Sequence, residues 1–310
     1  MSAASGQEQV RRRPTAKWAT IVLFLLPALV LYVVFVLFPI VQAAHYSLYK
    51  WNGLQALTDF VGFKNYQTAL GNDIFRSSVA NNLLVIALSL TLQIPFSLGL
   101  AVLLNRRFAG RAIFRLIFFL PYVLSEAITG IVFSLLLRPG AAFDSSLSAL
   151  GLGGFIQDWL GDTGIVMLTL FVIITWKYFG FYVVLLLAGL QGIPREIEEA
   201  AFIDGAGRWA AFRYVSLPLL GPTLRVSVFL SMIGSLQLFD MVWVMTKGGP
   251  LNASNTMAIS MFKAGFVGSQ MGYGSALAVI LFAFAFVIAL AYQRFVLRRD
   301  TEGAVTAFAG

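Results

Sequence analysis

The chain has 310 residues, 59% of them hydrophobic and only 12% charged, with a formal net charge of +8. Soluble domains carry about 25% charged residues, so an ordinary aqueous globular enzyme is excluded. There is no cysteine and a single histidine, His45, which removes disulfides, thiolate nucleophiles and zinc–thiolate or multi-histidine metal sites.

A bilayer core takes about 20 apolar residues per helix. Six runs reach that length: 18–43, 78–104, 113–137, 165–190, 219–245 and 275–295. Membrane strands would need only about ten residues of alternating pattern. The predicted fold is therefore all-α: a polytopic integral membrane protein of six transmembrane helices. Arg11, Arg12 and Arg13 precede the first run, as in a signal peptide, but that run is far longer than a secretory apolar core. It reads as a retained span that ends near His45, an interfacial polar residue.

Positive charge collects in the cytoplasm. Fourteen lysines and arginines fall on one side of the predicted spans: Arg11, Arg12, Arg13, Lys17, Arg106, Arg107, Arg111, Arg115, Arg195, Arg208, Arg213, Arg294, Arg298 and Arg299. Six fall on the other: Lys50, Lys64, Arg76, Arg138, Lys247 and Lys263. Both termini are expected in the cytoplasm, with tails at 1–17 and 300–310 around a transmembrane domain at 18–299. This asymmetry accounts for most of the net charge, and no nucleic-acid partner is implied.

Two features stand out inside the apolar pattern. The first is the cytoplasmic segment 194–218. Pro194 suits a first helical turn, and Glu196, Glu198 and Glu199 favour the positive end of that helix. Asp204-Gly205 reads as a stop with Gly205 in a left-handed cap, and a second helix is predicted over 206–217, before Pro218. Phe202, Ile203, Trp209 and Phe212 give the unit apolar anchors. The acidic start disfavours an anionic lipid surface and suits a protein groove with a basic rim.

The second feature is the set of polar residues within the spans. A buried charge there costs roughly 3 kcal/mol and faces a partner or a water-filled path. Glu126 and Lys177 lie at matched depth, near the midplane, either as a salt bridge between spans or as lining of a solute path. Gln237, Asp240 and Trp243 would share one face of a continuous fifth span. With Trp176, Tyr178 and Tyr182 they supply carboxylate, amide and aromatic groups of the kind that bind sugar hydroxyls and C–H faces. The outer loops Lys50-Trp51-Asn52-Gly53 and Phe60-Val61-Gly62 are candidates for contact with a binding protein. Asn252-Ala253-Ser254 matches a glycosylation sequon by chance.

Glu199-Ala200-Ala201, Gly205 and Val215-Ser216-Leu217-Pro218 stand in the spacing of the EAA signature, and the chain resembles ABC importer permeases of the carbohydrate, maltose-transporter-like type. Val215 stands where the usual residue is Ile. Phe239-Asp240, Thr246-Lys247-Gly248-Gly249-Pro250 and Tyr273-Gly274-Ser275-Ala276 are similar to the end of span five and the entry to span six of those permeases. The resemblance implies a type I importer permease fold with a cytoplasmic coupling helix, and ATPase-coupling roles for Glu198, Glu199, Ala200, Ala201, Asp204, Gly205, Leu217 and Pro218. It further implies a second permease subunit in a heterodimer, two ATPase subunits, an extracytoplasmic solute-binding protein, and residence in a prokaryotic inner membrane, within its lipid. ATP and Mg would be used by the ATPase subunits. This chain binds no cofactor of its own in that reading, and it contains no G-x-x-x-x-G-K-[ST] loop. The rival is an ion-coupled secondary transporter, which would leave the segment 194–218 without a task.

Overall fold

Four helices are apolar and long enough to cross a bilayer unbroken: α1 (Ile21–Tyr46), α3 (Asp73–Asn105), α7 (Val166–Gln191) and α13 (Met271–Leu297). The computed structural model describes residues 14–106 and 108–297. The tails, with Arg11, Arg12, Arg13, Arg298 and Arg299, and also Arg107, lie outside the described residues. No strand occurs among the described residues, as composition requires.

The other two predicted spans are broken. The third consists of α4 (Arg111–Val123) and α5 (Glu126–Leu136), which meet at 93°. The fifth consists of α10 (Gly221–Leu236) and α11 (Asp240–Thr246), with residues 237–239 outside either helix. The sequence expectation of six continuous helices is corrected at these two places. Shorter helices complete the chain: α2 (Lys64–Gly71), α6 (Ala142–Ala149), α8 (Arg195–Ile203), α9 (Arg208–Leu219) and α12 (Met257–Val267).

Breaks at membrane depth are tolerated only where neighbours satisfy the freed backbone groups. Both breaks meet that condition. At the first, the Lys177 ammonium donates to the carbonyls of Leu124 at 2.5 Å and Pro121 at 3.5 Å. At the second, the Asn82 amide donates to the Ser235 carbonyl at 2.6 Å, and the Thr256 hydroxyl donates to the Leu238 carbonyl at 2.8 Å. Asn82 and Thr256 are fully buried.

Prolines leave a second, local mark. Pro39, Pro95 and Pro218 each follow a single turn of π-helix, at Val33–Leu37, Ser89–Gln93 and Phe212–Ser216. Proline cannot donate to the carbonyl four residues back, and its ring crowds that oxygen. Widening the turn lets the residue before each proline bond five residues back instead, Phe38 to Val33, Ile94 to Ser89 and Leu217 to Phe212.

Helix α7 is the centre of the molecule, with 61% of its most apolar window buried, whereas none of the corresponding window of α1 is buried. A helix apolar on all sides has to be surrounded. One core cluster packs α7 against α3, α11 and α12 through Val85, Leu170, Ile174, Met241, Val242 and Ile259. A second packs its C-terminal half against α3 and Leu220 through Ala101, Leu104, Val183 and Leu186. Helix α4 reaches α7 at Gly180, where a β-carbon would stand 1.8 Å from the Phe118 carbonyl oxygen.

Candidate functional site

The two breaks open onto one cavity of about 390 Å³. Its walls come from α3, α4, α5, α7, α10, the break at 237–239 and the first residue of α11. The π turn before Pro95 places Ser89 and Gln93 on it, and α10 contributes Ser231 and Ser235. Tyr122, Tyr178, Phe181, Tyr182 and Phe239 supply aromatic surface. The two acidic residues of the cavity, Glu126 and Asp240, each begin the helix that follows a break. Carboxylates are favoured at the first turn of a helix, so the breaks explain how acidic groups are held at membrane depth.

Five of the eight residues expected along a solute path line this cavity: Glu126, Tyr178, Tyr182, Gln237 and Asp240. Three do not. Trp176 packs edge-on against Phe133 at 5.1 Å. Trp243 stacks on Phe239 at 5.8 Å and meets Phe262 edge-on at 4.8 Å. The shared face expected for 237, 240 and 243 required a continuous helix, and the break interrupts it.

Lys177 is the third, and no ion pair joins it to Glu126. Its side chain is 2% exposed and committed to the carbonyls at the elbow of α4 and α5. Glu126 remains an electrostatic neighbour of Lys177 but accepts a hydrogen bond from the Tyr178 hydroxyl. The adjacent residues 177 and 178 therefore grip the two sides of the elbow, one the end of α4 and the other the start of α5. Sequence reasoning missed Ser89, Gln93, Tyr122, Ser231 and Ser235. The signal for Gln93, a buried amide inside an apolar run, was of the same kind as that for Gln237.

Following α7, α8 and α9 form the predicted helix–turn–helix. Gly205 adopts φ +85°. The Ala206 amide donates to the Ala201 carbonyl at 2.9 Å and the Gly205 amide to the Phe202 carbonyl at 3.1 Å, the double bond of a Schellman cap. The second helix starts at Arg208 rather than 206 and runs through Pro218 to Leu219, since the π turn accommodates the proline. The Ser216 hydroxyl donates to Glu198 Oε1 at 2.7 Å and ties the two helices together. Glu199, Ala200, Asp204 and Pro218 are exposed, while Ala201 and Leu217 are half-buried. Ile203, Trp209 and Tyr214 are large apolar residues presented to solvent, whereas Phe202 faces clefts shared with the ends of α3 and α7.

Residues 93–301 match the family described as the inner membrane component of binding-protein-dependent transport systems. The chain belongs to this family. A "Probable ABC transporter permease protein" of Pyrococcus horikoshii is 36% identical over 285 residues, 91% of this chain and 97% of that protein. The diacetylchitobiose uptake permease of Streptomyces coelicolor is 33% identical, covering 93% of this chain and 85% of its own length. The trehalose/maltose permease of Thermococcus litoralis is 31% identical, with 88% and 92% covered. A solved bacterial transporter that imports the acidic polysaccharide alginate has the same fold, with a TM-score of 0.80 at 22% identity, over 92% of this chain and 96% of that one. This permease is thus a multi-pass membrane subunit of an ABC importer, and the ion-coupled alternative is set aside.

Proposed function

We propose that this permease forms, with a second permease subunit, the path by which a sugar or sugar-like solute enters the cell from an extracytoplasmic binding protein. The observation that carries this reading is the cavity where both broken spans meet. Its carboxylates, amides and hydroxyls match the hydrogen-bonding capacity of a polyol, and its aromatic rings match the apolar faces of a sugar ring. Relatives named for diacetylchitobiose and trehalose/maltose support the same solute class. Glu126, Tyr178, Tyr182, Gln237 and Asp240 contact the solute in this reading, and Lys177 holds the elbow that presents Glu126.

The segment from Glu198 to Pro218 is the coupling lever. Two separate ATPase subunits, using ATP and Mg, dock on it and drive the permease pair between inward- and outward-facing forms. A lever has to be stiff. The Schellman cap at Gly205 and the Ser216–Glu198 bond fix the angle between its helices, while Ile203, Trp209 and Tyr214 offer apolar surface to the partner. Both termini and this lever lie in the cytoplasm. The test is the assembled transporter in nanodiscs with a panel of sugar-loaded binding proteins, read by ATP hydrolysis. At least one sugar-loaded binding protein is expected to stimulate hydrolysis severalfold. Glu199→Lys is expected to abolish that stimulation and to weaken retention of the ATPase. Full retention and full stimulation in Glu199→Lys would falsify the coupling role.

A further inference from the structure

Building on the reading of the cavity as the solute path, we infer that it selects by charge, admitting neutral and amino-bearing sugars and rejecting those that carry carboxylate, sulfonate or phosphate. Among the described residues, the cavity lining includes Glu126 and Asp240 but no lysine, arginine or histidine. Every other polar group on it is an amide, a hydroxyl or backbone. The nearby cation, Lys177, is not offered to a solute. Its ammonium sits against the Leu124 and Pro121 carbonyls, and the side chain is 2% exposed. Asp240 and Gln237 are exposed at the second break, so the acidic group is open to whatever occupies the space.

Charges in a partly dehydrated site interact far more strongly than in water. An anionic sugar would bring its charge beside two carboxylates. Lys177 partly offsets Glu126 as an electrostatic neighbour, but its ammonium is committed to backbone carbonyls and makes no direct contact with a solute. A protonated amine would find two acceptors, and a charge-assisted hydrogen bond is roughly twice as strong as a neutral one. The fold does not dictate this preference, because a transporter of the same fold imports an acidic polysaccharide at 22% sequence identity. The preference belongs to Glu126 and Asp240 of this chain.

The full chain, co-purified with its native subunits in nanodiscs, is titrated with glucosamine, glucose and glucuronate at neutral pH. These probes share a ring and differ in charge. Binding is read by saturation-transfer NMR. Glucosamine is expected to bind at least as tightly as glucose, and glucuronate about tenfold more weakly or worse. In Glu126→Gln with Asp240→Asn, the ratio of glucuronate to glucose affinity is expected to rise at least severalfold, whatever happens to the absolute values. Glucuronate binding as well as glucose in the unaltered protein overturns the inference and leaves the sugar path standing. If none of the three binds, the sugar path and the charge preference fail together. An unchanged ratio in the double variant assigns the preference to other residues and overturns the inference.

Discussion

Gly180→Ala offers the sharpest test of how α4 and α7 are assembled. Alanine is the better helix former, by about 0.5–1 kcal/mol in a helix interior, so local propensity alone predicts a more stable protein. The structure predicts the opposite. The new β-carbon would lie 1.8 Å from the Phe118 carbonyl oxygen, 2.6 Å from its carbon and 3.1 Å from the Phe119 α-carbon. All three are backbone atoms, and β-carbons essentially never approach closer than 3.0 Å. The helices would have to separate by more than 1 Å, and α4 is not free to retreat. Its end is held one turn away by Lys177 on the carbonyls of Pro121 and Leu124. Overpacking of this kind costs about 1–3 kcal/mol. Because the clash is with backbone atoms that cannot rotate away, the cost belongs in the upper part of that range, about 2–3 kcal/mol. Set against the propensity gain, the net loss is about 1–2.5 kcal/mol. With the scaling of a 150–250-residue domain, the thermal midpoint falls by roughly 2–10 °C. The assay is thermal denaturation in detergent, read by size-exclusion chromatography of the chain fused to a fluorescent protein. A midpoint equal to or above that of the unaltered protein would refute the backbone contact between α4 and α7.

Lys177→Met should also lower the midpoint, because orphaning the elbow carbonyls costs about 1–3 kcal/mol per group. An unchanged midpoint would mean that the ammonium does not hold the elbow. At Gly205 a β-carbon meets nothing within 4 Å, so the penalty of Gly205→Val is backbone strain alone, about 1–2 kcal/mol. That variant should insert normally yet lose solute-stimulated ATP hydrolysis, and Gly205→Asn should keep it because asparagine tolerates the left-handed region. Equal activity in both variants would separate the turn from coupling. The chain lacks cysteine, so single cysteines report topology directly. An impermeant reagent applied to intact cells should label position 252 and leave positions 2 and 303 unlabelled, and labelling at 303 would overturn the six-span orientation.

The sequence by itself determined whatever rests on local or bulk physics. Apolar run length placed the spans, and an acidic first turn ending at Asp204-Gly205 placed the helix–turn–helix with its left-handed cap. Both depend on neighbours within a few residues. The widened turns before Pro39, Pro95 and Pro218 are local too, although hydropathy does not register them. Tertiary structure decided the rest. Glu126 and Lys177 look like partners when only their depth is known. The elbow beside them frees two carbonyls that claim the lysine, and Tyr178 takes the carboxylate. Trp243 belongs to the cavity only if the fifth span is one helix. The break at 237–239 is stabilised by Asn82 and Thr256, the first of them more than 150 residues away. In lipid, a broken helix persists only where distant side chains answer its backbone, and no pattern read along one span discloses which residues those are.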